Sequence, residues 1–379
     1  MMKFVKNYLN YSVIAVVTVI MAIAGISGLP LSTTELLEKI AIAIVLAISL
    51  NMVVGFLGEL SLGHAGFMCI GAYVGGKTAV LLSESLGGTS ILTVIIALIL
   101  GGVFSAACGF IVGLPALRLR GDYLAIVTLA FGEIVKNIFE NSEFFGGQTG
   151  LKSPQFMGKQ RFILFTIGFL LVLLTLFVVQ NVIKSKHGRA ITAIRDNEIA
   201  AKSMGINITK YKLMGFVISA VFAGLAGALY SFTQSNIQAQ TFDYNYSIEI
   251  LVIVVLGGMT VNGSIISAAL ITFLNIFLQK NLGGSFAVAK DLIYALILIL
   301  VVIYRNAPSL KNFREKYNLS NLVRLIIRSK HDPSNIRDDA ARWDVVPTKI
   351  SMDEVLSTDV IIDNTGDNSA DIGERGGNK

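Results

Sequence analysis

The chain has only two cysteines in 379 residues, Cys69 and Cys108, 39 positions apart within apolar runs. That spacing supplies no metal-ligand set and no redox pair, so both read as small packing residues. Charge is scarce as well. Asp, Glu, Lys and Arg make up 15% of the chain, against about 25% in a soluble domain. A water-facing surface is built from charged groups, so the deficit argues against a soluble enzyme. The 54% hydrophobic content argues equally against a disordered chain or a disulfide scaffold. Acids inside the apolar stretches are few, whereas a proton-driven pump needs a relay of them. Nothing in the pattern calls for a cofactor or a metal. What remains is one long apolar run after another, with a mean hydropathy of +0.69. The fold class that follows is all-α, a polytopic transmembrane helix bundle.

About 20 apolar residues carry a helix across the hydrocarbon core. Runs of that kind cover residues 12–29, 40–56, 61–82, 91–114, 123–138, 162–183, 213–232 and 288–304. The 32 residues of 248–279 are too many for one crossing, since at about 1.5 Å each they reach about 48 Å against a core of about 30 Å. Gly257-Gly258 and Asn262-Gly263-Ser264 interrupt them, giving two short segments around a tight bend, as full spans or as a re-entrant hairpin. About ten spans result. With the N-terminus inside, ten alternating spans leave Lys3, Lys6, Arg118, Arg120 and seven bases between Lys184 and Lys212 on the cytoplasmic face. That distribution obeys the positive-inside rule; the loop 141–161, with Lys152, Lys159 and Arg161, is the poor fit.

Residues 1–330 hold 26 Lys/Arg and 14 Asp/Glu, a net of +12, and residues 331–379 hold 5 and 11, a net of −6. The chain thus divides into a cytoplasmic N-terminus (1–10), a membrane domain (11–305) with a cytoplasmic loop (184–212), a basic juxtamembrane segment (306–330) and an acidic tail (331–379). The tail's composition cannot bury enough surface to offset chain entropy, so disorder is its expected state, with a short ordered piece around residues 343–346 as the exception. The sequence pI of about 9.2 does not point to nucleic acid, because the bases flank apolar spans and set orientation there.

Gly71 to Thr78 reads GAYVGGKT and fits the phosphate-loop pattern. That loop needs a strand before it and a helix after it in water; inside an apolar run, Gly71 and Gly75 read instead as a GxxxG face for close helix packing. The same run begins with Ser61, Gly63, His64, Gly66 and Phe67. So many small or polar residues suit an interrupted helix whose backbone lines a substrate pathway. His64 is either a functional ionisable group or the maker of a structural hydrogen bond. Glu133 with Lys136 and Asn137 has the spacing of a local ion pair near a helix end. In the 184–212 loop, Asp196 or Asn197 can cap a helix from Glu198 to Met204, Gly205 suits its left-handed C-terminus, and Asn207 opens the next helix. Two short amphipathic helices there make either a rigid knob able to dock in another protein or an ordinary basic loop.

GELSLGHAGFMCIGAY (58–73), ALRLRGDYLAIVTLAFGEIVKNI (116–138), HGRAITAIRDNEIAAKSMGIN (187–207) and AGLAGALYS (223–231) resemble the LivM-type permeases of branched-chain amino-acid ABC importers. The resemblance covers residues 10–305 and not the tail. It implies a non-catalytic subunit of the bacterial inner membrane with both termini cytoplasmic. A LivH-like permease, two cytoplasmic ATPases (LivG- and LivF-like) and an external substrate-binding protein complete such importers. It also implies that Arg189, Arg195, Asp196, Glu198, Ala200, Ala201 and Gly205 belong to the loop that contacts an ATPase. The family's GGMGS segment is longer and more polar here, running from Gly257 through Gly258, Met259 and Asn262 to Gly263 and Ser264. Related permeases carry urea or short amides, and an ion-coupled secondary transporter using His64 or Glu133 is the reading from another class. Residues 102–113 and 220–231 echo each other, which suggests an inverted repeat.

Overall fold

Long apolar stretches without internal proline fold as helices because a backbone out of water must satisfy its own hydrogen bonds. The computed structural model describes residues 31–86, 90–119, 121–153 and 161–281, with isolated helical positions at 295, 296, 299 and 303. All of them belong to one compact unit, Met1–Arg305. The crossing expected over 12–29, most of the one over 288–304, the segment 306–330 and the tail, with its piece at 343–346, lie outside the described residues.

Among the described residues ten α-helices follow one another: α1 (Leu31–Asn51), α2 (His64–Leu86), α3 (Ile91–Ala116), α4 (Asp122–Asn141), α5 (Arg161–Lys184), α6 (Lys186–Asp196), α7 (Glu198–Ser203), α8 (Ile208–Thr233), α9 (Tyr244–Leu256) and α10 (Val261–Asn281). Two short strands, β1 (Leu151–Lys152) and β2 (Asn236–Ile237), pair antiparallel with Leu151 opposite Ile237. This joins the loop after α4 to the loop after α8. Large apolar side chains such as Ile111, Ile126, Leu170 and Phe277 face outward, as the lipid-facing surface of a multi-pass membrane protein requires.

Six helices among the described residues are long and apolar enough to cross a membrane. Two of the expected crossings differ from them. The helix over 123–138 forms as α4, but Asp122, Glu133, Lys136 and Glu140 make it more polar than the six. The 248–279 stretch is not two equal halves: α9 has 13 residues and α10 has 21, about 20 Å and 31 Å. Asn262, Gly263 and Ser264 do not form the break but lie in the first turn of α10, and the turn itself is residues 257–260. The polar triplet is tolerated in the helix because Thr260 caps that turn, its hydroxyl accepting from Gly263 N (3.2 Å).

The tightest packing joins α2, α3 and α8. Gly71 lies directly against the backbone of Gly224, and Gly75 against Ala228, so α2 and α8 run parallel with four-residue steps in register. On α3, Gly101, Gly109 and Gly113 face Ala228, Ala220 and Phe216, and Ser105 faces Gly224, so α3 is antiparallel to α8. Small residues let these backbones approach and gain dispersion contacts without a hydrophobic drive from water. The two segments that echo each other in sequence therefore pack face to face in opposite directions.

Candidate translocation and coupling site

α1 does not end in a clean cap. Met52–Leu57 widens into a π-helical turn that closes at Gly58, whose φ of 73° suits glycine. The next residues form no regular element until α2 starts at His64. Single π turns recur where a helix has been locally rebuilt for function. Three elements meet here: the break between α1 and α2, the α6–α7 knob, and the turn between α9 and α10.

The break is held by a buried polar cluster. His64 Nε2 pairs with Ser49 Oγ at 2.8 Å, Ser49 Oγ donates to Leu46 O, and Ser219 Oγ donates to Ser49 O at 2.6 Å. Leu62 N donates to Thr128 Oγ1 (3.0 Å), and Ala65 N donates to Ser247 Oγ (3.1 Å). Gly63 lies on the Thr128 carbonyl and Gly66 on Gly132, where a Cβ at either glycine would overlap backbone. Phe67 sits between the rings of Phe131 and Phe216, with centroids at 4.9 and 5.5 Å. Ser61, Gly63, His64, Gly66 and Phe67 are all buried, so in this conformation α4 seals the stretch.

The knob is built from local caps and long-range ties. Ser185 Oγ accepts from His187 N and Gly188 N to start α6. Of the two cap candidates, Asn197 takes the role, its Oδ1 accepting from Ala200 N (3.0 Å). Gly205 has φ 78°, and Asn207 Oδ1 accepts from Lys210 N (3.1 Å) to start α8. Ala201 is buried, whereas Arg189, Asp196 and Ala200 are exposed. Arg195 reaches across 140 residues of sequence, and its Nη1 donates to Gly55 O (2.9 Å) in the π turn. Its guanidinium also binds Asp196 Oδ1. Lys212 is 3% exposed and bridges Glu59 (2.5 Å) and Glu198 (3.4 Å). The knob is thus fastened to the α1–α2 break at two points.

The same π turn reaches the third element. Asn51 is fully buried; with its amide turned to satisfy both ends, Nδ2 donates to Met259 O (3.1 Å) and Oδ1 accepts from Val261 N (3.2 Å). Gly55 also lies against Met259 O. Gly258 and Met259 both take positive φ, 73° and 56°, a conformation that costs a non-glycine residue about 1 kcal/mol. Gly263 packs on the Gly257 carbonyl, and Ser264 Oγ is buried with no hydrogen-bond partner among the described residues. Ser247 and Gly257 stand at opposite ends of α9, about 15 Å apart, so the 61–67 stretch and the 257–264 stretch contact different ends of one short helix.

α9 also begins inside the bundle. Tyr244 N donates to Glu133 Oε1 (3.0 Å), in the middle of α4 rather than beyond its end. Glu133 Oε2 pairs with Lys136 (2.5 Å), and Asp243 Oδ1 caps α9 by accepting from Tyr246 N (3.0 Å). Gly71 to Thr78 lies wholly within α2, where Thr78 Oγ1 donates to Val74 O and Lys77 stands over the Phe144 ring at 4.5 Å. No strand precedes it among the described residues. Sequence reasoning missed Asn51, Ser49, Glu59 and Lys212. An isolated Asn in an apolar run was the one visible signal, because intramembrane polar groups are rarely idle.

The family described as branched-chain amino acid transport system / permease component matches residues 32–302. The high-affinity branched-chain amino acid transport system permease protein LivM of Salmonella typhimurium is 37% identical over 310 residues, 74% of this chain and 70% of that protein. The protein of the same name in Escherichia coli is 35% identical over 76% of this chain and 72% of its own length. The guanosine ABC transporter permease protein NupQ of Bacillus subtilis is 28% identical over 49% of this chain and 64% of its own. No solved structure matches the chain.

Proposed function

The chain belongs to the family of permease components of branched-chain amino acid transport systems, and from that premise we propose that it is a non-catalytic transmembrane subunit of an ATP-driven importer for branched-chain amino acids. Its partners in this reading are a LivH-like permease, LivG- and LivF-like ATPases that hydrolyse ATP, and an external substrate-binding protein. The setting is a bacterial inner membrane, with ten crossings and both termini in the cytoplasm. The observation that carries the coupling mechanism is the continuous tie from Arg195 through Gly55 and Asn51 to Met259.

The knob displays Ile199 and Met204 to solvent, 76% and 82% exposed, as apolar anchors for a partner's groove. When the ATPases close, they displace α6 and α7. Arg195 and Lys212 transmit that displacement to the π turn, and Asn51 passes it to the α9–α10 turn. Rigid, hydrogen-bonded elements of this kind transmit motion because packed interfaces switch rather than stretch. The stretch with Ser61, Gly63, His64, Gly66 and Phe67 and the turn with Gly257, Gly258, Gly263 and Ser264 are the proposed pathway. Arg189, Arg195, Asp196, Glu198, Ala200, Ala201 and Gly205 are the proposed coupling residues. Branched-chain amino acid cargo is favoured over guanosine because the LivM relatives are more similar and matched over more of the chain.

Reconstitution tests the proposal. Proteoliposomes holding this chain with the four partners should accumulate labelled leucine only with ATP inside the ATPase compartment and binding protein outside. Gradient-driven uptake by this chain alone would overturn it, and would favour the ion-coupled alternative through His64 or Glu133.

A further inference from the structure

A cavity of about 260 Å³ lies between α1, α8, α9 and α10, away from the 61–67 stretch. It falls near the small end of ligand pockets, about 300–1,000 Å³, and so suits a small metabolite. Its walls carry two opposite charges. Lys39 from α1 has no hydrogen bond or ion pair among the described residues and opens toward the cavity. Glu249 from α9 stands on another wall, with Oε1 accepting from Asn275 Nδ2 (3.3 Å) on α10. Ile42, Ile250 and Ile253 supply aliphatic surface from α1 and α9. The cavity lies toward the start of α1 and the end of α10, which the positive-inside alternation assigns to the outer side.

Lys39 is exposed at the rim of the cavity, and Glu249 is half-buried on its wall. A lone anion site would need only the cation, and a lipid-tail groove would need neither charge. One ammonium and one carboxylate on separate walls, with branched aliphatic side chains beside them, complement a zwitterion bearing a short hydrocarbon. The geometry points to this cavity as a binding site for the free α-amino acid in transit. Glu249, oriented by Asn275, accepts hydrogen bonds from the substrate's ammonium, Lys39 donates to its carboxylate, and Ile42, Ile250 and Ile253 hold its side chain. This rests on the importer reading for its cargo but concerns a site that the reading does not assign.

Photo-leucine, an amino acid carrying a diazirine on its side chain, tests the site in the assembled importer. On irradiation of the wild-type assembly, label is expected in peptides covering 39–46 and 246–253. Excess leucine should suppress it, and the deaminated 4-methyl-2-oxopentanoate, which lacks the ammonium, should not. Glu249→Gln and Lys39→Met should each lower labelling, and leucine carried per ATP, by about tenfold, the loss of one charge-assisted contact to the substrate. Ile253→Trp, which fills the cavity and leaves both charges, should do the same while the four partners still co-purify with the chain. Label confined to the 61–67 stretch, or wild-type labelling in all three variants, overturns the inference. So does label from a diazirine phospholipid in these peptides that leucine does not displace. If the wild type takes up leucine without ATP, the importer reading fails instead, and photo-labelling still scores the site.

Discussion

Lys212 concentrates the electrostatics around the α1–α2 break. One ammonium, almost without solvent, serves Glu59 from the α1–α2 break and Glu198 from the knob. Removing it leaves a carboxylate facing a dry hole, and breaking such a buried pair costs about 3–5 kcal/mol. Lys212→Met is therefore expected to lower the thermal stability of the purified protein by about 3 kcal/mol, read as a drop in Tm in detergent. Glu59→Gln added to Lys212→Met should recover part of the loss, and an unchanged Tm in Lys212→Met would remove the triad from the account. The pairing was invisible in the sequence because Glu59 and Lys212 stand 153 residues apart. Asn51 and Met259 are likewise far apart along the chain, and only the fold brings an amide to the strained turn. His64 was legible as a residue to notice, yet not its partner: only the packing of α1 against α2 selects Ser49.

At the scale of elements, what could be read was what is local. Asn197, Gly205 and Asn207 act through hydrogen bonds and dihedrals within four residues of themselves, so the boundaries of the knob follow from composition. The lengths of α9 and α10 do not, because the turn at 257–260 is fixed by Asn51 and Gly55 from another helix. Apolar content likewise marks α4 as a helix without showing that its charged face is answered by Tyr244. Gly205 gives the sharpest test at this scale. A Cβ there meets nothing within 4 Å, so Gly205→Val incurs only the left-handed backbone, about 1–2 kcal/mol. That is enough to unwind the end of α7 and too little to unfold the bundle. ATP hydrolysis by the assembly should continue while leucine uptake falls, and Gly205→Asn, which tolerates positive φ, should retain most uptake. Equal uptake in Gly205→Val and wild type would detach this residue from coupling.

For the whole molecule, the direction of each helix is the property on which the rest depends. The parallel pairing of α2 with α8 and the antiparallel pairing with α3 agree with the alternation drawn from Lys and Arg. So does the β1–β2 pairing, which puts the loops after α4 and α8 on one side. Relative directions follow from packing, but absolute sidedness rests on charge bias, which the structure carries only as sequence. The central claim is that a passive gate is moved from the cytoplasm through the α6–α7 knob. Its most direct test is labelling of single cysteines by a membrane-impermeant maleimide in a full-length chain with Cys69 and Cys108 replaced by Ala. Met204→Cys, on the exposed tip of the knob, should react only after the membrane is opened, whereas Lys152→Cys, in β1, should react in intact cells. Met204→Cys labelled from outside intact cells would contradict the account.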